Sequence, residues 1–405
     1  MFVRLMALIE DYALIGDCRT AALVSRDGSI DWYCCPRFDS EACFAALLGT
    51  LEHGRWSIAP QEPARITRRY RPKTLVLETH FETEEGAATL IDFMPLDGHH
   101  STIVRLVRGV RGRVSMGTEL ILRFGYGAIV PWVTRLEDGG LRAIAGPDMM
   151  VLRTPVQLRG VDMTTVGTFV IYKDETIPFV LSYYPSHRPL HTSFDPTAAL
   201  HDTEMFWQEW SAKCRPAGPW SDVVLRSMIT LKALTYAPTG GMVAAPTTSL
   251  PERLGGERNW DYRYCWLRDA TLVLLGAMNA GYFDEAQAWR EWLLRAVAGS
   301  PDQLQIMYGI AGERRLTEWT APWLPVTKTR RLCGSAMPPT ASSSSTCLAR
   351  SWTSITRRAA AGCRPMHRDG TRNSLSLTIL KRSGASPTRG SGKSAAVRAN
   401  SPIRK

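Results

Sequence analysis

Eight short runs rich in β-branched and aromatic residues follow one another between Thr20 and Tyr184, and no helical period separates them. They cover residues 20–25, 30–34, 73–82, 88–93, 102–110, 115–124, 168–172 and 178–184, with turn residues between. Parallel neighbours would need crossover helices, so this spacing predicts an antiparallel β-sandwich. The first two runs flank Arg26-Asp27-Gly28-Ser29, where Asp-Gly marks a hairpin turn.

Near Pro196 the period changes. Residues 198–213 have helical spacing, with Leu200, Phe206, Trp207 and Trp210 apolar. Ser221 is expected to N-cap a second helix over 222–236, striped by Leu225, Met228, Leu231 and Leu234. A loop over 239–251 follows, and then an apolar helical run over 271–278. Asp284 is expected to cap a helix over 285–298, which Gly299 ends. The expected organisation is therefore a β-sandwich domain over 1–215, a helical linker over 216–254 and an all-α domain over 255–325. By Pro325 that last domain has two clear helices, and one helical hairpin cannot build a core alone.

Beyond Pro325 the character is different. Periodicity vanishes, Ser342 to Ser345 is a serine run, and residues 326–405 carry 16 Lys or Arg against a single acid, Asp369. That stretch is at +15. The first 325 residues hold 33 basic and 37 acidic residues and sit at −4, so the net charge of +11 belongs to the tail. The tail reads as a disordered basic segment. Only Trp352 interleaves its charge, which argues against a nucleic-acid partner.

There is no run of 18 apolar residues, so no transmembrane helix or membrane partner is expected. The apolar start, Met1 to Ile9, is too short for a signal peptide and meets Glu10 and Asp11 at once, which makes the cytoplasm the expected compartment. The nine cysteines include no CxxC pair. Reduced, mostly buried thiols are expected, and no zinc site or other metal.

The densest chemistry lies from Arg258 to Ala270, where four aromatics, three arginines and two aspartates precede the 271–278 run. Aromatic faces stack on the C–H faces of a sugar ring, and Arg and Asp pair with its hydroxyls. The same residues would also serve as a Trp-rich helix start buried in a core, with Arg and Asp paired to each other. From the residues alone both readings stand.

A set of motifs in order resembles glycoside hydrolase family 15, the glucoamylase and bacterial trehalase-like group. Residues 9–17 (Ile-Glu-Asp-Tyr-Ala-Leu-Ile-Gly-Asp), Asp27-Gly28-Ser29-Ile30-Asp31-Trp32, Pro36-Arg37-Phe38-Asp39-Ser40, Pro131-Trp132-Val133 and Ala145-Gly146-Pro147-Asp148 are similar to its trehalase-like N-terminal domain. Pro246 to Glu252, Arg258 to Ala270, Gln305 to Gly309 and Gly312-Glu313-Arg314 are similar to the start of its catalytic domain. Coverage is about residues 5–325. One departure is Gly125, where the family often has Asp.

The resemblance implies a β-supersandwich followed by an (α/α)6 barrel, here only its first helices. It implies inverting hydrolysis of an α-glucosidic bond by two carboxyl groups roughly 6.5–9.5 Å apart, the acid with a raised pKa. No cofactor is implied. Arg268 and Asp269 would bond the hydroxyls of the non-reducing glucose, and Tyr262 and Trp266 would form its apolar wall. The substrate would be trehalose or another α-glucoside, with a homo-oligomer possible for a full-length frame. The family's catalytic glutamates occur later, in Trp-Glu-Val-Arg-Gly-type and Ser-Glu-Glu-type motifs, and neither is present here. Glu313 and Glu318 are better read as structural acids, since Glu313 matches a different motif.

A shifted reading frame accounts for the loss. Val326-Thr327-Lys328 can be written GTT ACG AAG, which read one nucleotide earlier gives Gly-Tyr-Glu. In that same frame residues 335–342 can give Ile-Gly-Asn-Ala-Ala-His-Arg-Gln, and residues 388–394 can give Glu-Gly-Ile-Trp-Glu-Val, the neighbourhood of the general acid. Three family-like matches in order point to one nucleotide lost near the Pro325 codon. The expected product is an inactive copy of a glycosidase. The alternative is a non-catalytic carbohydrate-binding remnant.

Overall fold

The computed structural model describes residues 7–96, 100–190, 194–215, 218–251, 259–299 and 303–324. Glu252, Arg258, Pro325 and the whole tail over 326–405 lie outside the described residues. Residues up to Ala298, together with those from Gln305 to Leu324, belong to one compact unit.

The first part of that unit is antiparallel throughout, as the strand spacing requires. Its spine is a single 20-residue strand, Thr102–Ile121. The first half of this strand pairs with Gly86–Phe93 on one side and Thr176–Pro185 on the other. The second half pairs with Arg55–Pro60 and Thr164–Tyr172. One strand therefore belongs to both layers of the sandwich. Sequence patterning predicts two strands here, with a break around 111–114. The break is instead a bend within one strand, and glycine makes it. Gly112 has φ +58°, and a Cβ there would sit 2.1 Å from the Glu85 carbonyl oxygen; one on Gly109 would sit 1.9 Å from that of Tyr172.

The two layers enclose one core in which Trp56, Ile58, Phe81, Leu90, Met116, Phe179 and Leu181 interdigitate. Its polar centre is Arg105, fully buried on the spine strand. Arg105 donates to both Asp92 carboxylate oxygens (2.8 and 3.2 Å), to the Trp56 carbonyl (2.8 Å) and to the Gly28 carbonyl (2.7 Å). The expected Asp-Gly hairpin is present, with Gly28 at φ +82° joining strands Ala21–Val24 and Ser29–Cys34. The patterning missed Ala13–Gly16, Arg55–Pro60, Arg65–Tyr70 and the hairpins over 132–153. Among the described residues, Arg65–Tyr70 pairs with Leu77–Glu82 alone, and its three arginines are those of a wet edge strand.

Among the described residues, four α-helices follow: α1 Pro196–Ala212, α2 Ser221–Ala233, α3 Leu267–Asn279 and α4 Phe283–Ala296. Two expected caps are corrected. Ser221 lies inside α2, which has no side-chain cap. Asp284 lies in the first turn of α4, after an uncapped Tyr282. Both helices gain from an acid near the N-terminus through the helix dipole rather than through a cap bond. Asp195 is the true cap of this region, accepting from the Thr197 and Ala198 amides.

Trp207, Trp210, Met228, Ile229 and Ala277 pack α1, α2 and α3 together with Tyr282, the residue before α4, and reach Cys18 and Leu75 of the sandwich. The Trp210 and Tyr282 rings stack at 4.0 Å. Glu285 holds this corner by accepting from the Trp210 indole (2.6 Å) and pairing with Lys232 (3.1 Å). Of the cysteines, Cys18, Cys34, Cys35, Cys43 and Cys265 are buried and Cys214 is half-buried, all as free thiols. Among the described residues, no helix is long and apolar enough to cross a membrane.

Candidate functional site

The segment from Asn259 to Ala270 is laid down as an extended ribbon that ends in α3. Its first half runs against residues 244–249. The Ala244, Ala245 and Ser249 amides donate to the Tyr264, Tyr262 and Trp260 carbonyls, and Thr248 bridges Asp261. Its second half, Cys265–Trp266, pairs with Met307–Tyr308. Three of the motifs that stand apart in the sequence therefore meet at one ribbon.

An extended ribbon alternates its faces. Asp261, Arg263, Cys265 and Leu267 are buried, while Tyr262, Tyr264 and Trp266 are half-buried. The buried face is a lock. Arg263 donates to both Asp261 carboxylate oxygens, to the Ser40 carbonyl at 2.7 Å, and lies 5.5 Å from the Tyr126 ring centre. Burial opposes the Arg263 charge, but Asp261 outweighs it and holds the guanidinium well above its ordinary pKa.

Tyr262 and Trp266, two of the four residues expected to hold glucose, lie between the buried positions, and the other two, Arg268 and Asp269, follow in the first turn of α3. The Tyr262 and Trp266 ring centres are 5.9 Å apart, tilted by 34°. The Trp266 indole donates to the Asp261 carbonyl (3.1 Å), which fixes its plane. Arg268 and Asp269 begin α3 and stand 3.5 Å apart, the Arg268 side chain 77% exposed. The ring pair and the ion pair are thus consecutive on one strand-to-helix turn.

A pocket of about 230 Å³ opens beside this turn, and none of the four lines it. Its walls are Asp39, Glu41, Tyr126, Asp261, Tyr264 and Trp319, with Thr248 and Arg263. Burial pushes the Tyr264 hydroxyl up to about 12. The Tyr126 and Trp319 rings are 5.4 Å apart. Sequence reasoning missed Glu41, Tyr126 and Trp319 as site neighbours because they come from three distant stretches of chain. Tyr264 lies within residues 258–270, but ribbon alternation would put it on the face of Tyr262, whereas it lines the pocket with Asp261 and Arg263.

Glu313 is not built as a catalytic acid. Its carboxylate accepts from Arg37 (2.8 Å) and from the Ala311 amide (2.9 Å). Burial would raise its pKa, yet these bonds and the Arg37 charge hold it below the usual carboxylate range. A general acid needs the opposite. Among the described residues, no group of three His, Cys, Asp or Glu side chains converges to hold a metal ion.

Comparison with known proteins gives the following. The family model described as Glycosyl hydrolases family 15 matches residues 218–331, and the model described as Trehalase-like, N-terminal matches residues 3–171. The chain is similar to a trehalase of Mycolicibacterium smegmatis, 33% identical over 343 residues, which are 76% of this chain and 51% of that protein. It is likewise 33% identical to a trehalase of Mycobacterium tuberculosis, over 76% of this chain and 50% of that protein. A solved bacterial glucoamylase complexed with acarbose shares the fold, with TM-score 0.57 and 12% identity over 77% of this chain and 53% of that one. The chain spans about half the length of the curated relatives it matches.

Proposed function

We propose, for a chain that belongs to glycosyl hydrolases family 15 in its trehalase- and glucoamylase-like group, that the turn from Tyr262 to Asp269 grips the non-reducing glucose of an α-glucoside. The observation that carries this is the succession of the Tyr262–Trp266 ring pair and the Arg268–Asp269 ion pair on one strand-to-helix turn, whose backbone the buried Asp261–Arg263 pair holds. The buried Asp261–Arg263 pair fixes the backbone, so the turn is pre-organised without contact from the sugar. An aromatic wall and a charged donor–acceptor pair are what a pyranose needs on its C–H face and its hydroxyls.

The domain reading follows the same line. Residues 1–215 form the trehalase-like sandwich, 216–254 the helical linker, and 255–325 the opening of the catalytic barrel. Trehalose is the preferred substrate because the similar curated proteins are named trehalases; other α-glucosides remain the second choice. The reaction would be inverting, with the acid and base supplied after residue 325. The catalytic family match ends at 331, which supports a frame lost near Pro325 and an inactive copy.

Glucose titration followed by tryptophan fluorescence tests the grip. Quenching that saturates in the parent and weakens at least tenfold in Arg268→Ala supports it; equal binding by both overturns it.

A further inference from the structure

Residues 37–40 form a turn of the sandwich that closes on itself. The Ser40 amide donates to the Arg37 carbonyl (3.2 Å), and the Arg37 amide donates to the Ser40 hydroxyl (3.1 Å). Asp39 accepts from the Arg37 guanidinium through two bonds of 2.8 Å, and the guanidinium lies 5.7 Å from the Tyr236 ring centre. Most exposed ion pairs contribute little, because two long side chains must be fixed to make them. Here the fork and the ring have already fixed the Arg37 side chain, so a further bond from it is pre-organised.

Two arms run from this turn towards Trp266. The first is the Ser40 carbonyl, which accepts from Arg263 at 2.7 Å; Arg263 holds Asp261, and the Asp261 carbonyl accepts from the Trp266 indole at 3.1 Å. The second is Arg37 Nη2, which donates to Glu313 Oε1 at 2.8 Å. Glu313 closes the turn after the strand Met307–Tyr308: its other carboxylate oxygen accepts from the Ala311 amide (2.9 Å), and its carbonyl accepts from the Gly309 amide (2.8 Å). The carboxylate packs so close on that backbone that a Cβ on Gly309 would sit 2.2 Å from it. Met307 in turn is the strand partner of Trp266. Both arms start in one turn and end at one ring.

We propose that the turn over 37–40 positions Trp266, and that Arg37 is a positioning residue of the glucose turn. This rests on the reading of Trp266 as a wall of that site. It makes the trehalase-like sandwich part of the sugar site rather than a module carried beside it.

Solvent exchange of the Trp266 indole N–H in the full chain, assigned by its loss in Trp266→Phe, reads the link without sugar. Exchange should be at least about tenfold faster in Arg37→Ala and in Glu313→Ala, as for a local opening, while the Trp56 indole, bonded to Thr118 in the sandwich core, keeps its rate. The double variant should be no faster than either single one, because both changes cut the same arm. An unchanged Trp266 rate, or an equal acceleration at Trp56, would overturn the proposal. Arg37→Ala should also bind glucose more weakly than the parent, and equal binding would deny the turn any role in the grip. Equal binding by the parent and Arg268→Ala would instead sink the glucose reading, while the exchange rates still decide whether the turn positions Trp266.

Discussion

Asp261 and Arg263 form a buried, two-pronged ion pair, with Nη2 to Oδ2 at 2.7 Å and Nε to Oδ1 at 3.0 Å, on the inner face of the turn whose outer face carries Tyr262 and Trp266. The two side chains are 5% and 1% exposed for Arg263 and Asp261. Asp261→Asn leaves the guanidinium buried without its counter-charge, and about 3–5 kcal/mol of stability should be lost. Adding Arg263→Met should return much of that loss, because the double variant no longer buries a charge. Urea unfolding of the parent, the single and the double variant measures both.

The Asp92–Arg105 pair makes the same test inside the sandwich. Arg105 is satisfied by two carboxylate and two carbonyl oxygens and sits 5.1 Å from the Trp56 ring centre. Lysine keeps the charge but cannot fork to four acceptors. Arg105→Lys should therefore cost about 2–4 kcal/mol, since it leaves buried acceptors unmet. A cost under about 1 kcal/mol by urea unfolding, the range of an exposed pair, would show that the fork is not needed.

Asp17 gives a pH signature. Its carboxyl is raised from 3.8 to about 6 by burial, only partly offset by the Thr20 and Arg19 amides that it accepts from. The folded state then binds the proton more tightly than the unfolded state, so the contribution favours folding below pH 4 and is lost as pH rises to 6. The size is about 3 kcal/mol for a shift of two units. Asp17→Asn keeps an acceptor and cannot ionise. The difference in melting temperature between Asp17→Asn and the parent should grow from pH 4 to pH 6.5 and then level off.

Much of this was readable in advance, and the reasons differ by element. Gly28 after Asp27 gives away its hairpin because few other residues take that turn. The continuity of Thr102–Ile121 was hidden, since glycines at 109 and 112 look like a strand break and here mark a bend. Arg65–Tyr70 was hidden by its charges. The glucose turn was legible as chemistry from its composition. Its division into the buried Asp261–Arg263 pair and the half-buried rings was not, because Arg263 finds its partners at Ser40 and Tyr126, more than a hundred residues away.

Glu313 separates structure from catalysis. Its pairing with Arg37 is half-exposed, so Glu313→Gln should cost under about 1 kcal/mol. In the protein with its frame restored at Pro325, the same change should leave trehalose hydrolysis within a few-fold of the parent. A loss of a hundred-fold or more in kcat would make Glu313 the catalytic acid.

Glucose release from trehalose, measured for the chain as it stands and for the chain with one nucleotide restored at the Pro325 codon, addresses the central claim most directly. The claim is that the turn at Tyr262, Trp266, Arg268 and Asp269 holds a glucose whose acid and base were lost downstream. It predicts no release above buffer for the first protein and sustained release for the second. Steady release by the chain as it stands would contradict it.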